Sequence, residues 1–224
     1  MDRDYMYDMI IIGAGIAGCA TAVAFANQGR RKKILLLERS LEEPDRIVGE
    51  LLQPGGVEAL CELGLASSTS TSTASTGDSD SNSPSDDGPS SDSSRFNCLE
   101  GIDATPIEGY HLYWKDQETS FWFGEKDRKK LQGWSFHHGR FVTKLREAAA
   151  ARYPNVTLLE RTVVEILWND ADRVIGVLCS GVDGKLEQVG FSLSLSFFLF
   201  FFSLLLFSSS FLFFFSLLFS FTFT

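Results

Sequence analysis

Three glycines and one acid carry the clearest chemistry in this chain. Gly13, Gly15 and Gly18 stand in the spacing G-x-G-x-x-G (GAGIAG), and Glu38 lies twenty residues beyond the last of them. A glycine turn between a strand and a helix offers an anion the free N–H groups and the positive dipole end of that helix. Gly13 permits the tight turn, Gly15 lets the backbone approach a pyrophosphate, and Gly18, helped by Ala22, lets the helix pack closely. A carboxylate at the tip of the next strand can accept hydrogen bonds from ribose hydroxyls. The alternative is a glycine-rich turn that binds nothing. The preceding apolar run, the helix pattern, the closing Gly29 and the placing of the acid favour a dinucleotide.

Cations stand near this unit. Arg39 and Arg46 follow the second strand on the phosphate side, although Arg46 could equally serve as a surface partner of Glu42 or Glu43. Arg140 opens a predicted helix, where the dipole disfavours a cation; that conflict points to an anionic partner, with cofactor phosphates one candidate. His137 and His138 have no third ligand at metal spacing.

The elements that must position these groups follow from periodicity. Apolar runs at 9–12 and 34–37 predict strands flanking a helix over 19–28. The stretch LLQPGG at 51–56 reads as a turn, and 57–63 as a short helix closed by Gly64. Alternation over 109–114 and 119–123, around a polar turn at 115–118, predicts an aromatic hairpin. Such a hairpin suits a large apolar substrate, or else ordinary sheet core. A helix over 139–152 has Phe141, Val142, Leu145, Ala148 and Ala149 on one face, and a strand over 156–159 follows it. Segments 162–167 and 174–178 then pair, and another strand begins at Leu186 after the turn at 182–185.

Composition divides the chain. Residues 66–94 are nearly all Ser, Thr, Asp, Gly, Asn and Pro, and 191–224 contain only Phe, Leu, Ser and Thr. Of the net charge of −9, five units come from Asp78, Asp80, Asp86, Asp87 and Asp92, so the globular part is mildly acidic and nucleic acid is not an expected partner. The polar segment cannot bury enough apolar surface to offset its ordering entropy and is expected to be disordered. Four scattered cysteines suggest reduced, partly buried thiols, and the short charged start at 1–8 suggests no signal peptide. Both point to a reducing, cytosol-like side for the cofactor end.

The order of GAGIAG, EPDRIVGELLQPGG, CLEGIDATPIEGYH and FHHGRF resembles the amino-terminal half of the squalene monooxygenase (squalene epoxidase) family, over roughly 7–65 and 97–190. The look of YHLYWKD suggests its fungal branch. The resemblance implies an α/β fold, a Rossmann-like FAD-binding domain of the flavoprotein monooxygenase type with part of a β-rich substrate domain, and the C-terminal half missing. Residues 1–65 would hold the ADP half of FAD, and 66–94 would be a polar insertion. Residues 95–190 would supply hairpin, helix and ribbon of the FAD and substrate domain, and 191–224 a low-complexity tail.

The implied activity is FAD-dependent epoxidation of squalene to 2,3-oxidosqualene in sterol synthesis. Electrons would come from NADPH through NADPH-cytochrome P450 reductase, at the endoplasmic reticulum membrane with the active site facing the cytoplasm. By motif match, Ile16, Ala17, Glu38, Arg39, Arg46 and Arg140 contact FAD, with Leu51 and Val163 as further contacts. Tyr110 of EGYH falls at a position near substrate and flavin, where a phenol can hold an orienting hydrogen bond in an apolar pocket.

Two departures qualify the expectation. The polar segment interrupts the family pattern, and after Gly190 the pattern stops. The chain as written is therefore expected to lack epoxidase activity. Its tail of thirty-four uncharged residues reads either as a membrane segment or as a translated pyrimidine tract, since Phe, Leu and Ser all have all-pyrimidine codons. The competing functional reading is a non-catalytic nucleotide-binding fragment tethered to a membrane. A nicotinamide-dependent dehydrogenase fits the motifs beyond Glu38 poorly.

Overall fold

Parallel strands covered on both faces carry nearly continuous apolar runs, and MIII and ILLLE are such runs. A computed structural model describes residues 6–28, 32–46, 50–67, 96–126, 128–191 and 197–200. Gly29, most of the 66–94 segment and the tail beyond 200 lie outside the described residues, and so do the expectations made for them.

In chain order the strands are β1 (Met6–Tyr7), β2 (Met9–Ile12), β3 (Ile34–Glu38), β4 (Glu50–Leu52) and β5 (Thr105–Ile107). Next come β6 (Gly109–Trp114), β7 (Gln117–Trp122), β8 (Glu125–Lys126), β9 (Lys129–Lys130) and β10 (Gly133–Phe136). The ribbon and its neighbours are β11 (Val156–Glu160), β12 (Thr162–Trp168), β13 (Val174–Ser180), β14 (Leu186–Phe191) and β15 (Phe197–Phe200). The helices are α1 (Ile16–Gln28), α2 (Pro54–Glu62) and α3 (His138–Arg152).

The parallel sheet has the order β11-β3-β2-β15. Alternate residues of β2 and β3 feed two cores, as the two-residue period of a strand requires. Met9, Ile11, Ile34 and Leu36 pack with α1 and α3, against Cys19, Ala22, Val23, Phe141 and Leu145. Ile10, Leu35 and Leu37 pack on the other face, against Val177, Cys179 and Val189 of the ribbon. The ribbon's own sheet has the order β1-β14-β13-β12, and β4-β10-β5 forms a separate antiparallel sheet. Two hairpins, β6-β7 and β8-β9, complete the pairings among the described residues. Phe197–Phe200 runs parallel to β2 at the edge of the parallel sheet. Among the described residues no helix is long and apolar enough to cross a membrane.

Several boundaries differ from expectation. Helix α1 starts at Ile16, so Gly18 lies inside it; a Cβ there would meet the Gly13 carbonyl oxygen at 1.8 Å, and only glycine admits that approach. The stretch read as a turn, LLQPGG, is instead the end of β4 followed at once by α2. Leu52 pairs with Trp134 across the sheet, and Pro54 stands at the start of α2, where its missing N–H costs nothing. The hairpin turn is tighter than the expected four residues: β6 and β7 are separated only by Lys115 and Asp116, with Lys115 at φ 54°. Its strands are exposed along nearly their whole length.

Candidate functional site

The glycine turn joins β2 to α1, and its conformation follows from its glycines. Gly13 has φ 99°, in the region that favours glycine, and its N–H donates to the Leu37 carbonyl at 2.7 Å. A Cβ on Gly15 would have nothing within 4 Å, so one side of the turn is open. Ile16 and Ala17 are half-buried, and their N–H groups, the first of α1, have no acceptor within their own helix.

Glu38 closes this unit from the end of β3. Its Oε2 accepts from the Ala14 N–H at 2.8 Å, and its Oε1 accepts from the Arg39 N–H at 3.0 Å. The carboxylate thereby bridges the turn and the strand tip, and each oxygen keeps lone-pair capacity for another donor.

Arg146, which sequence reasoning missed, completes the cluster from α3. Its Nε donates to the Ala14 carbonyl at 2.8 Å and its Nη1 to the Glu42 carbonyl at 3.1 Å. Its Nη2 lies 3.6 Å from Glu38 Oε2, and the residue is only 7% exposed. A signal existed: Arg146 falls on the stripe Val142, Leu145, Ala149 at helical spacing, where a charge is buried only when partnered.

The other expected residues lie around this cluster in two groups. Gly13, Gly15, Ile16, Ala17, Gly18, Glu38 and Arg39 come together at the strand tips and the start of α1. Arg46 is exposed on the loop after β3, and Arg140 opens α3. These two segments meet, because a Cβ on Gly139 would lie 2.4 Å from the Pro44 carbonyl oxygen. The anion found beside Arg140 is Asp103, in a close ion pair. Leu51 is half-buried on β4, opposite Ser135. Val163 pairs with Cys179 in the ribbon and packs in the core that holds Leu37, two residues beyond Arg161, whose N–H donates to the Glu38 carbonyl at 2.8 Å.

Tyr110 stands on β6 and is 38% exposed. Its hydroxyl accepts from Gln53 Nε2 at 3.1 Å, and its ring meets Phe123 edge-on at 5.4 Å. That hydrogen bond ties the hairpin to the residue between β4 and α2. Tyr110, Leu112, Trp114 and Phe121 share one face of the hairpin and are all exposed, which gives it an open apolar side.

His138 Nδ1 lies 2.8 Å from Glu50 Oε1 without hydrogen-bond alignment. No group of three metal-ligating side chains occurs among the described residues. All four cysteines are free, and burial pushes the Cys19 and Cys98 thiols up to about 12.

No family model matches the chain. It is homologous to squalene epoxidases. It is 42% identical over 179 residues to the squalene epoxidase of Aspergillus fumigatus, covering 79% of this chain and 30% of that protein. It is 42% identical over 175 residues to that of Schizosaccharomyces pombe, covering 77% and 31%. It is 39% identical over 173 residues to the mouse squalene monooxygenase, covering 76% and 24%. The chain thus spans about a third or less of the length of these curated relatives.

Among solved structures, p-nitrophenol 4-monooxygenase from Pseudomonas putida matches with a TM-score of 0.57 at 16% identity, over 83% of this chain and 39% of that one. The myxobacterial chondrochloren halogenase, a variant of FAD-dependent halogenases, matches with a TM-score of 0.56 at 19% identity, over 83% and 35%. These likenesses show the fold: mixed α/β, of the kind found in FAD-dependent monooxygenases and halogenases.

Proposed function

We propose that this chain is the nucleotide-holding part of an FAD-dependent squalene epoxidase, which converts squalene to 2,3-oxidosqualene. The observation that carries the dinucleotide reading is the hydrogen bond from the Ala14 N–H to Glu38 Oε2, beside an open Gly15. It sets a carboxylate that would bind ribose against a turn that would bind phosphate. The identity of the flavin and of squalene is drawn from the relatives.

The residues fit that ligand. Gly15, Ile16 and Ala17 would place N–H donors and the α1 dipole against the pyrophosphate, Gly13 would shape the turn and Gly18 would let α1 approach it, with Glu38 toward the ribose. Arg39, Arg46 and Arg140 would add positive charge, and Leu51 and Val163 apolar contacts. When bound, FAD supplies oxygen activation for insertion into an alkene. Tyr110 would face the substrate on the open side of the hairpin, its phenol held by Gln53 and its neighbours excluding water. Electrons from NADPH through NADPH-cytochrome P450 reductase, and residence at the endoplasmic reticulum membrane, belong to the same reading. So does the division into 1–65 for the ADP half, a 66–94 insertion, 95–190 for flavin and substrate, and a 191–224 tail.

Calorimetric titration of the full chain with ADP and with FAD tests the proposal. Saturable binding of ADP, displaced by FAD, is expected; a chain that takes up neither ends it. Formation of 2,3-oxidosqualene from squalene, with FAD, NADPH and the reductase present, tests the activity assigned to the whole protein.

A further inference from the structure

A guanidinium that is nine-tenths buried is retained at a cost in solvation, so its partners indicate its use. Arg146 spends its donors on the groups that shape the glycine turn. Nε holds the Ala14 carbonyl at 2.8 Å, Nη1 holds the Glu42 carbonyl at 3.1 Å, and Nη2 stands 3.6 Å from Glu38 Oε2. The Ala14 N–H in turn donates to that same Oε2 at 2.8 Å. A closed ring results, from Arg146 to the Ala14 carbonyl, from the Ala14 N–H to Glu38, and back to Arg146.

The ring has a geometric consequence. The Ala14 carbonyl and the Gly15 N–H belong to one planar trans peptide, so they point in opposite directions. With the carbonyl pinned toward Arg146 in the protein interior, the Gly15 N–H must point away from it. Gly15 has open space about its Cα on the side a Cβ would take. Rotation of the peptide by half a turn would bury the donor and aim a carbonyl at the ligand. Arg146 opposes that rotation, and its charge keeps the Glu38 carboxylate drawn against the turn.

We infer that Arg146 is a positioning residue for dinucleotide binding: it orients the Gly15 N–H outward and holds Glu38, without itself touching the ligand. The inference rests on the dinucleotide reading proposed above. A merely structural arginine would stabilise the fold and leave ligand affinity alone. A positioning arginine sets affinity through Glu38 and the Ala14 peptide.

The test uses the full chain, with ADP as the probe in calorimetry and amide exchange by NMR without ligand. Arg146→Met removes the donors; Arg146→Lys keeps the charge but loses the fork and is the milder variant should the first fold poorly. Measured well below each variant's melting temperature, ADP affinity is expected to fall ~10-fold to ~100-fold, the range for a hydrogen bond to a charged group. The double variant Arg146→Met with Glu38→Gln should lose less than the two single losses combined, because both act through one unit. The Ala14 amide should exchange faster in Arg146→Met even without ADP.

Folded variants that bind ADP like the wild type, or losses that simply add, overturn the inference. A wild-type chain that does not bind ADP overturns the dinucleotide reading instead, and the amide arm then decides: faster exchange supports the positioning of the turn, and unchanged exchange refutes it.

Discussion

Glu38 accepts a 2.8 Å hydrogen bond from the Ala14 N–H, across twenty-four residues of sequence and from one strand tip to the next turn. The bond fixes the acid to the glycine turn, so under the proposed dinucleotide function ribose and phosphate recognition would share one unit. Each Glu38 oxygen has one backbone N–H partner, Ala14 on Oε2 and Arg39 on Oε1. The neutral amide of Glu38→Gln can keep only one of those acceptors. ADP affinity is expected to fall by about 10-fold or more, with a loss of stability of roughly 1–3 kcal/mol from the unmet N–H and the unpaired Arg146. Equal affinities for the two proteins in a titration would argue against Glu38 as a ribose ligand.

Gly15 and Gly18 should separate binding from folding. A Cβ on Gly18 would sit 1.8 Å from a backbone oxygen, whereas one on Gly15 meets nothing within 4 Å. Gly18→Ala must therefore shift the turn or α1 and is expected to cost about 2–4 kcal/mol of stability. Gly15→Ala is expected to stay within about 1 kcal/mol of the parent and yet to lose most ADP binding, because the methyl group occupies the approach to the backbone. Thermal melts and titrations of both variants check the split. The same melting temperature for both would contradict it.

The β2–α1–β3 unit was legible because its parts are consecutive: MIII, GAGIAG, a helix and ILLLE lie within one short stretch, and each meets its neighbour. Strand β4 was not legible. Three residues, Glu50–Leu52, form a strand only because Trp134–Phe136 comes to pair with them from more than eighty positions away. Pro54 and two glycines look like a turn until a helix start is allowed to hold them. Arg146 was hidden for a related reason, since Ala14, Glu38 and Glu42 become its partners only after α3 has packed. Arg140 drew notice through its conflict with the helix dipole, and Asp103 beside it already answers that conflict. Periodicity shows which face of a helix is buried, and leaves open what a charge on that face will find.

Thiol chemistry gives a pH-dependent prediction. Burial raises the Cys19 and Cys98 thiols from the ordinary 9.0 to about 12, so the folded chain keeps both protonated where the unfolded chain would ionise them. The unfolded state then binds fewer protons between those values, and stability falls as pH rises. The contribution is fully present below pH ~9 and is lost toward pH ~12, at about 1.4 kcal/mol per pH unit for each thiol. Urea titrations between these limits should show a shallower decline for Cys98→Ala than for the parent. In native protein at pH ~8, disulfide reagents should leave Cys19 and Cys98 unmodified while they attack the half-buried Cys61 first.

Tyr110 offers a test of the hairpin. Its hydrogen bond from Gln53 is exposed and neutral, so Tyr110→Phe is expected to change stability by less than about 1 kcal/mol. If the open apolar face of β6 and β7 receives squalene, the same change should lower turnover in the complete enzyme while leaving ADP affinity in this chain unaltered. A variant with full turnover would place the substrate elsewhere.

The ion pair between Arg140 and Asp103 makes the last prediction, because its two members differ in exposure. The Arg140 side chain is 42% exposed and that of Asp103 80%, so the pair sits in water and contributes at most about 1 kcal/mol. Its greater effect is on where the guanidinium is directed. A carboxylate that holds Arg140 competes with any phosphate for the same donors, and it would place a negative charge near the proposed phosphate site. Asp103→Asn should therefore leave the melting temperature nearly unchanged and tighten ADP binding by roughly 2-fold to 5-fold at low salt, with the gain shrinking as salt is added. Arg140→Ala should act oppositely, weakening ADP binding and reducing its salt dependence. Binding curves for the parent and both variants at low and high salt check the pair of outcomes. If Asp103→Asn weakens binding, the carboxylate is orienting Arg140 toward the phosphates rather than withholding it. Indifference in both variants would remove Arg140 from the nucleotide site and leave it a surface partner of Asp103 alone.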